Sequence, residues 1–490
     1  MADTRVRDER GFILPSADID FEGSDSPHTL HPLRFLGMGL LIAWLCCTHV
    51  DTIYLPVSRD VRVLAETGMR IGDIGTFIIM AIMARRIGPL SAHRVSASAL
   101  VAITAAGTAV IGLAIVPASM GPDLIFAVSV VTAIGGAVLF CLWAEVFCQM
   151  GTTSMVVYGG GSCVAAFVVY CLVSTMMQPY SVIATSLLPV LSLACLWASF
   201  KLVPYEAPRT KEMSYPVPWK IVIIMGIAGV LSGLTGIVLG ETANLGAVHR
   251  IWATACAGAL MLYMALRRPS MFDMRMMTQV CLAVTVVALV FVPGVAMGFA
   301  QVVSFLMKLA YVWFTVFVIA VLANLAFRFD LPSLRLFAIA RACSESGIFV
   351  GVMLREAIGR SDIVLDAPTL AGAALLGFVL VAVCVLIWRS EKAVNADWGA
   401  AGISLESGAH VQSPRERLIS SCNRIAAEFG LTERETEMLM LIGQGKTRTQ
   451  IEQELFLSQN TVKTHIRHLY AKLDVHSKEE ACALIGVKAN

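Results

Sequence analysis

The sequence predicts an all-α protein built from two unlike parts: a polytopic membrane helix bundle of about twelve helices, and a small polar helical domain at the C-terminus. Three observations predict it. Apolar residues make up 57% of the 490 positions and charged residues only 15%, at a mean hydropathy of +0.74. Soluble domains reach about 45–50% apolar even with glycine included. The net charge of +2 hides an uneven distribution, with 36 charged side chains among the 358 residues of 31–388 and 26 among the 102 of 389–490. Within the first stretch, apolar runs of spanning length follow one another with short polar breaks. These figures exclude a secreted, disulfide-stapled or disordered chain.

Residues 1–30 carry seven acidic side chains against Arg5, Arg7 and Arg10 and have no apolar stretch, so they read as a disordered tail rather than a signal peptide. Spanning helices are expected at 33–55, 69–84, 95–117, 122–148, 154–176 and 180–203, then at 218–240, 248–266, 277–298, 302–327, 333–354 and 369–388. The second and eleventh are the least apolar, being interrupted by Asp73 and by Arg341 with Glu345. With the N-terminus inside, one set of loops and flanks holds eighteen Lys and Arg and the opposite set holds six. The positive-inside rule then places both termini of a multi-pass membrane protein in the cytoplasm.

The longest internal polar connection, 204–217, splits the runs into six and six. This arrangement resembles the major facilitator superfamily, whose two six-helix halves are related by an axis along the membrane normal. That family carries a Gly/Asp/Arg motif between its second and third helices. Here the place reads Ala84-Arg85-Arg86-Ile87-Gly88, without the acidic residue.

Ionisable groups at membrane depth are costly and mark a cavity or a pathway unless they neutralise one another locally. The candidates are Asp51, Asp73, Glu145, Lys308, Arg341 and Glu345. Asp51 and Glu145 have no basic neighbour in sequence and are expected to line a central ligand cavity. Arg341 and Glu345, four apart, either pair on one helix face or join that cavity. Asp73 is expected at the water interface. Trp143, Tyr158, Tyr311 and Trp313 either wall the ligand or pack. Of thirteen cysteines, eleven fall between Cys46 and Cys384, with no CxxC and no zinc spacing, and read as small apolar residues. No metal or cofactor is implied, and no nucleophile–base pair suggests an enzyme. Gly159–Gly161 and the spaced Gly226, Gly229, Gly233, Gly236 and Gly240 suggest close helix packing.

Residues 389–429 read as a flexible Gly/Ala/Ser-rich linker. From 430 the period is helical, short and charged. Thr432 and Glu435 form a capping box ahead of Met438, Leu439, Leu441 and Ile442. A short helix follows near 447–455, then a turn with Ser458 as N-cap and a helix to about Leu473. On that last helix Val462, Ile466, Leu469 and Leu473 share one side, while Asn460, Lys463, Thr464, Arg467 and Ala471 share the other. A face of spaced cations and short polar groups suits a major groove about 12 Å wide.

Leu431-Thr432-Glu433-Arg434-Glu435, Leu457-Ser458-Gln459-Asn460-Thr461-Val462-Lys463-Thr464-His465 and Lys472-Leu473 closely resemble the LuxR-type helix-turn-helix output domain. The resemblance implies a four-helix domain over 430–490 that binds promoter DNA as a homodimer, often through a final helix, here near 477–486. It implies DNA contacts from Lys463, Thr464 and Arg467, to which the helix adds Asn460, Thr461 and His468. Arg448-Thr449-Gln450 and Glu452 depart from the family's usual second helix. The combination resembles membrane-bound LuxR-type regulators with a transporter-like sensor over 31–388. The expected function is one-component transcriptional regulation in response to a small molecule, with the lipid bilayer and RNA polymerase as further partners. The alternative is a secondary transporter with a regulatory DNA-binding tail.

Overall fold

The computed structural model describes residues 32–49, 59–148, 152–202, 219–234, 248–267, 274–329, 332–359, 367–389, 414–443, 448, 451–452 and 459–485. The expected tail 1–30, the 204–217 connection and Asp51 lie outside them. Among the described residues there is no strand. Twelve apolar helices come first: α1 Pro32–His49, α2 Arg59–Ile87, α3 Arg94–Val110, α4 Pro122–Phe147, α5 Thr152–Ser174, α6 Tyr180–Leu202, α7 Trp219–Leu234, α8 Val248–Arg267, α9 Met274–Phe291, α10 Ala300–Phe329, α11 Ser333–Gly359 and α12 Ala367–Arg389. Each overlaps one expected run. Seven of these stretches are long and apolar enough to cross a membrane, and five are apolar but shorter over their described residues.

Helix α2 starts ten residues before the expected 69–84. Its first turns are too charged to register as apolar, but Glu66 and Arg70 neutralise each other one turn apart, at 3.0 Å.

The packing repeats with an offset of six helices. In the first half α1 lies on α5, α2 on α4 and α3 on α4; in the second α7 lies on α11, α8 on α10 and α9 on α10. The halves meet along two seams, α2–α11 and α5–α8, which the same offset exchanges. At α5–α8 the crossing is so close that a Cβ on Gly160 would sit 2.7 Å from the Gly258 carbonyl oxygen. Gly226, Gly229 and Gly233 of α7 likewise abut α11, at Cys343, Ser344, Gly347, Ile348 and Gly351. The expected close packing is met there, while Gly236 and Gly240 lie outside the described residues. Trp143 and Trp313 are fully buried. Their indole N–H groups donate to Ser192 Oγ and to the Met277 carbonyl, each at 3.0 Å, so both rings serve the core.

The C-terminal domain contains α13 Pro414–Phe429, α14 Glu433–Gly443, α15 Gln459–Leu473 and α16 Lys478–Ile485. Helix α13 corrects the expected linker. Leu418, Cys422 and Ile425 are buried in one cluster with Met438, Leu439, Ile442, Ile451, Val462, Ile466, Leu469, Cys482 and Ile485. Residues 414–429 are therefore part of the domain rather than a tether. Their polar composition conceals an apolar stripe three and four residues apart. Helix α13 also touches α10 of the bundle.

Candidate nucleic-acid interface and buried ionic cluster

The capping box forms as the sequence implies. The Thr432 backbone N–H donates to Glu435 Oε2 at 2.8 Å, and the Glu435 N–H donates to Thr432 Oγ1 at 3.3 Å. The same carboxylate oxygen receives Lys472 Nζ at 2.7 Å, and that ammonium also reaches the Gly430 carbonyl at 3.3 Å. Burial alone would raise the Glu435 carboxyl, but Lys472 and Thr432 hold it below its ordinary value. Lys472, part of the Lys472-Leu473 motif, thus locks the end of α15 to the start of α14.

Helix α15 buries Val462, Ile466, Leu469 and Leu473. Lys463, Thr464, Arg467, His468 and Ala471 are exposed and Thr461 is half-buried. Asn460 is helical with its side chain outside the described set, and Ser458, the expected N-cap, lies outside the described residues. Asp474, at φ 52°, ends the helix in the left-handed region, and the Val475 N–H returns to the Tyr470 carbonyl at 3.0 Å. Helix α16 then starts with the His476 N–H on Glu480 Oε2 and the Glu480 N–H on Ser477 Oγ. Of the short helix expected at 447–455, Arg448, Ile451 and Glu452 are described; all are helical and Ile451 is buried.

In the bundle, Glu145 departs from its expected place in a ligand cavity. It is fully buried, and its carboxylate accepts the backbone N–H groups of Leu90 at 2.6 Å and Ser91 at 3.1 Å. It thus satisfies the N-terminus of the 3₁₀ turn Leu90–His93. Arg341 and Glu345 do pair, and they belong to something larger. Arg70 Nη1 of α2 donates to Glu345 Oε2 of α11 at 3.0 Å, while Arg70 Nε and Nη2 hold Glu66 Oε1 at 3.2 and 3.0 Å. The Arg341 guanidinium lies over the Phe140 ring, 4.9 Å from its centroid. Tyr311 Oη and Ser344 Oγ share a hydrogen bond of 3.0 Å beside it. Asp73 is not at the interface: it is buried, with its Oδ2 3.3 Å from His49 Nε2.

The cluster therefore joins α1, α2 and α11 across one seam between the halves. Glu66, Arg70 and His49 went unnoticed in the sequence because they lie near the ends of apolar runs. The Glu66/Arg70 spacing was the available signal. Among the described residues no group of three or more His, Cys, Asp or Glu could hold a metal ion.

Fold and surface together define a class: an apolar twelve-helix bundle with helices long enough to cross a membrane, carrying a small helix-turn-helix domain on the same chain. Residues 430–485 match the family described as bacterial regulatory proteins, luxR family, so the C-terminal domain is a LuxR-type helix-turn-helix domain. This segment is similar to the transcriptional regulatory protein LiaR of Bacillus subtilis, 51% identical over 65 residues, covering 13% of this chain and 31% of that protein. It is also similar to the HTH-type transcriptional regulator MalT of Vibrio campbellii, 49% identical over 68 residues, covering 14% and 8%. The chain thus spans under a third of the length of these relatives.

The bundle has the major-facilitator fold. It superposes on the major facilitator proton:xylose symporter XylE at a TM-score of 0.51, with 13% identity over 73% of this chain and 94% of that one. A bacterial homologue of the iron transporter ferroportin gives 0.53, with 11% identity over 74% and 98%.

Proposed function

We propose that the chain is a one-component transcriptional regulator of the bacterial cell membrane. The bundle senses a small molecule, and the C-terminal domain binds promoter DNA as a homodimer. The observation that carries this reading is the outward face of α15, with Lys463, Thr464, Arg467 and His468 exposed beside a closed apolar core. Asn460 and Thr461 complete its N-terminal turn. The Lys/Arg bias of the loops supports cytoplasmic termini, in the compartment of the chromosome and of RNA polymerase. The contact between α10 and α13 gives the bundle a direct handle on the DNA reader. A ligand moves such a switch only through its differential affinity for two arrangements. In this reading the α2–α11 ionic seam, with Arg341 and Glu345, is where the ligand would act.

The test is genome-wide selection of DNA fragments by the full-length protein in lipid nanodiscs, with the Lys463→Ala/Arg467→Ala double variant as control. Discrete sites recovered only by the unsubstituted protein support the regulator. A second reading, a secondary transporter with a regulatory tail, draws on the fold of the bundle. It predicts substrate flux in proteoliposomes that survives both substitutions, where the regulator reading predicts no flux.

A further inference from the structure

The two halves repeat one another, but their interiors are not equally filled. In the first half Trp44 of α1 is fully buried. Its indole N–H donates to Thr108 Oγ1 of α3 at 3.2 Å. Its ring lies on α4, where a Cβ on Gly136 would sit 2.7 Å from Cζ3. Trp143 of α4 fills the space toward α6, where it donates to Ser192. Helix α6 closes this interior by packing along both α1 and α3. The six-helix offset carries α1, α3, α4 and α6 onto α7, α9, α10 and α12. There α10 keeps a buried indole, Trp313. Helix α7 has no counterpart of Trp44, because its one tryptophan, Trp219, is exposed at the helix start. Helix α12 rests mainly on the 3₁₀ turn Val292–Met297 and meets α7 and α9 far more sparingly over their described residues.

The result is a cavity of about 110 Å³ between these four helices. Its walls include Ala228 and Leu231 of α7, Cys281 and Thr285 of α9, Phe314 of α10 and Cys384 of α12, and no charged residue. The hydrogens of Thr285 and Cys281 are already spent. Thr285 Oγ1 donates to the Cys281 carbonyl at 2.8 Å, and Cys281 Sγ donates to the Ala310 carbonyl at 3.6 Å. Such walls offer a water too few partners, and an apolar cavity of about 150 Å³ stays dry and takes a benzene ring.

We infer that the second half holds a binding site for an uncharged apolar molecule about the size of one aromatic ring. The site shares no residue with the α2–α11 ionic seam. A molecule of this kind dissolves in bilayer hydrocarbon and enters beside α12, whose outer face presents Leu375, Leu376 and Val379. Phe314 stands on α10, the helix that touches α13 of the DNA-reading domain. An occupant between Phe314 and α12 favours the arrangement that keeps the cavity open. The site stands on its own geometry; its effect on DNA binding rests on the regulator reading above.

The test uses full-length protein in nanodiscs and a one-ring apolar photolabel, trifluoromethyl-phenyl-diazirine, with labelled residues mapped by mass spectrometry. Label is expected on the cavity walls, at Leu231, Cys281, Phe314 or Cys384. Excess toluene should reduce it several-fold while label on Leu375, Leu376 and Val379 persists. Ala228→Phe and Cys384→Phe fill the cavity from two different helices, and either variant that keeps the native thermal midpoint should lose the wall label. The toluene competition needs no variant. Wall label that toluene leaves in place, or that matches the outer face in native and filled proteins alike, overturns the site. So does wall label that falls only as the nanodisc lipid's chains are lengthened, which assigns the cavity to an acyl chain. On a selected DNA fragment, toluene should change affinity several-fold in the native protein and leave Ala228→Phe unchanged. A flat native response with the wall label displaced refutes the coupling and leaves the site standing. Failure to select any DNA fragment counts against the regulator, and the label still decides the site.

Discussion

Glu435 and Lys472 show how a single contact reassigns a side chain. The folded domain holds the Glu435 carboxyl below its ordinary value. Its stabilising contribution is complete above the unfolded-state value of about 4.3 and fades as pH falls through the lower folded value. Because Lys472 is 38% exposed, solvent screening limits the pair to about 1 kcal/mol. Urea unfolding of the native C-terminal domain should therefore lose stability on acidification below about pH 4.5. Glu435→Gln should lower the neutral-pH midpoint and flatten that acid slope; an unchanged slope would place the titration elsewhere. On the reading face, Lys463→Ala should weaken binding uniformly across DNA sequences and reduce the salt dependence of binding, as a phosphate contact does. Arg467→Ala is expected to relax sequence choice at a cost of about 1–3 kcal/mol, as a base contact does. Cys422 is buried in the domain core, which pushes its thiol up to about 12. It should resist alkylation at neutral pH until the domain unfolds.

At the scale of elements, legibility followed the strength of the local pattern. Twelve apolar runs and the α15 wheel were plain in the sequence because a period of 3.6 needs no knowledge of distant partners. Glu145 was not. Its role depends on an N–H pair some 55 residues away in sequence, so a lone carboxylate in an apolar run looked like a ligand group. Helix α13 was hidden for the opposite reason: its polar residues outweigh a narrow stripe whose partners lie on α14, α15 and α16. That stripe carries a prediction. A fragment beginning at residue 430 uncovers the surfaces that Leu418, Cys422 and Ile425 bury, each worth about 1.5–3 kcal/mol for a full aliphatic side chain. Thermal melts should find it several kcal/mol less stable than one beginning at 411. Equal stability would return 414–429 to the status of a tether.

For the whole molecule, the six-helix offset means that the α2–α11 and α5–α8 seams occupy equivalent positions while being held by different forces. Removing Arg70 strips partners from both Glu66 and Glu345. Arg70→Ala should cost about 3–5 kcal/mol, read as a fall in the thermal midpoint in nanodiscs. Gly258→Leu places side-chain atoms against the Gly160 carbonyl. It should lower the midpoint by forcing α5 and α8 apart, without changing any pH dependence. The two seams therefore differ in what they can detect. The glycine crossing is blind to charge and responds only to shape, whereas its counterpart is a row of acids and bases that any ion or proton entering the bundle must disturb. A molecule symmetric in outline is asymmetric in sensitivity, and a charged stimulus has one side on which to open it.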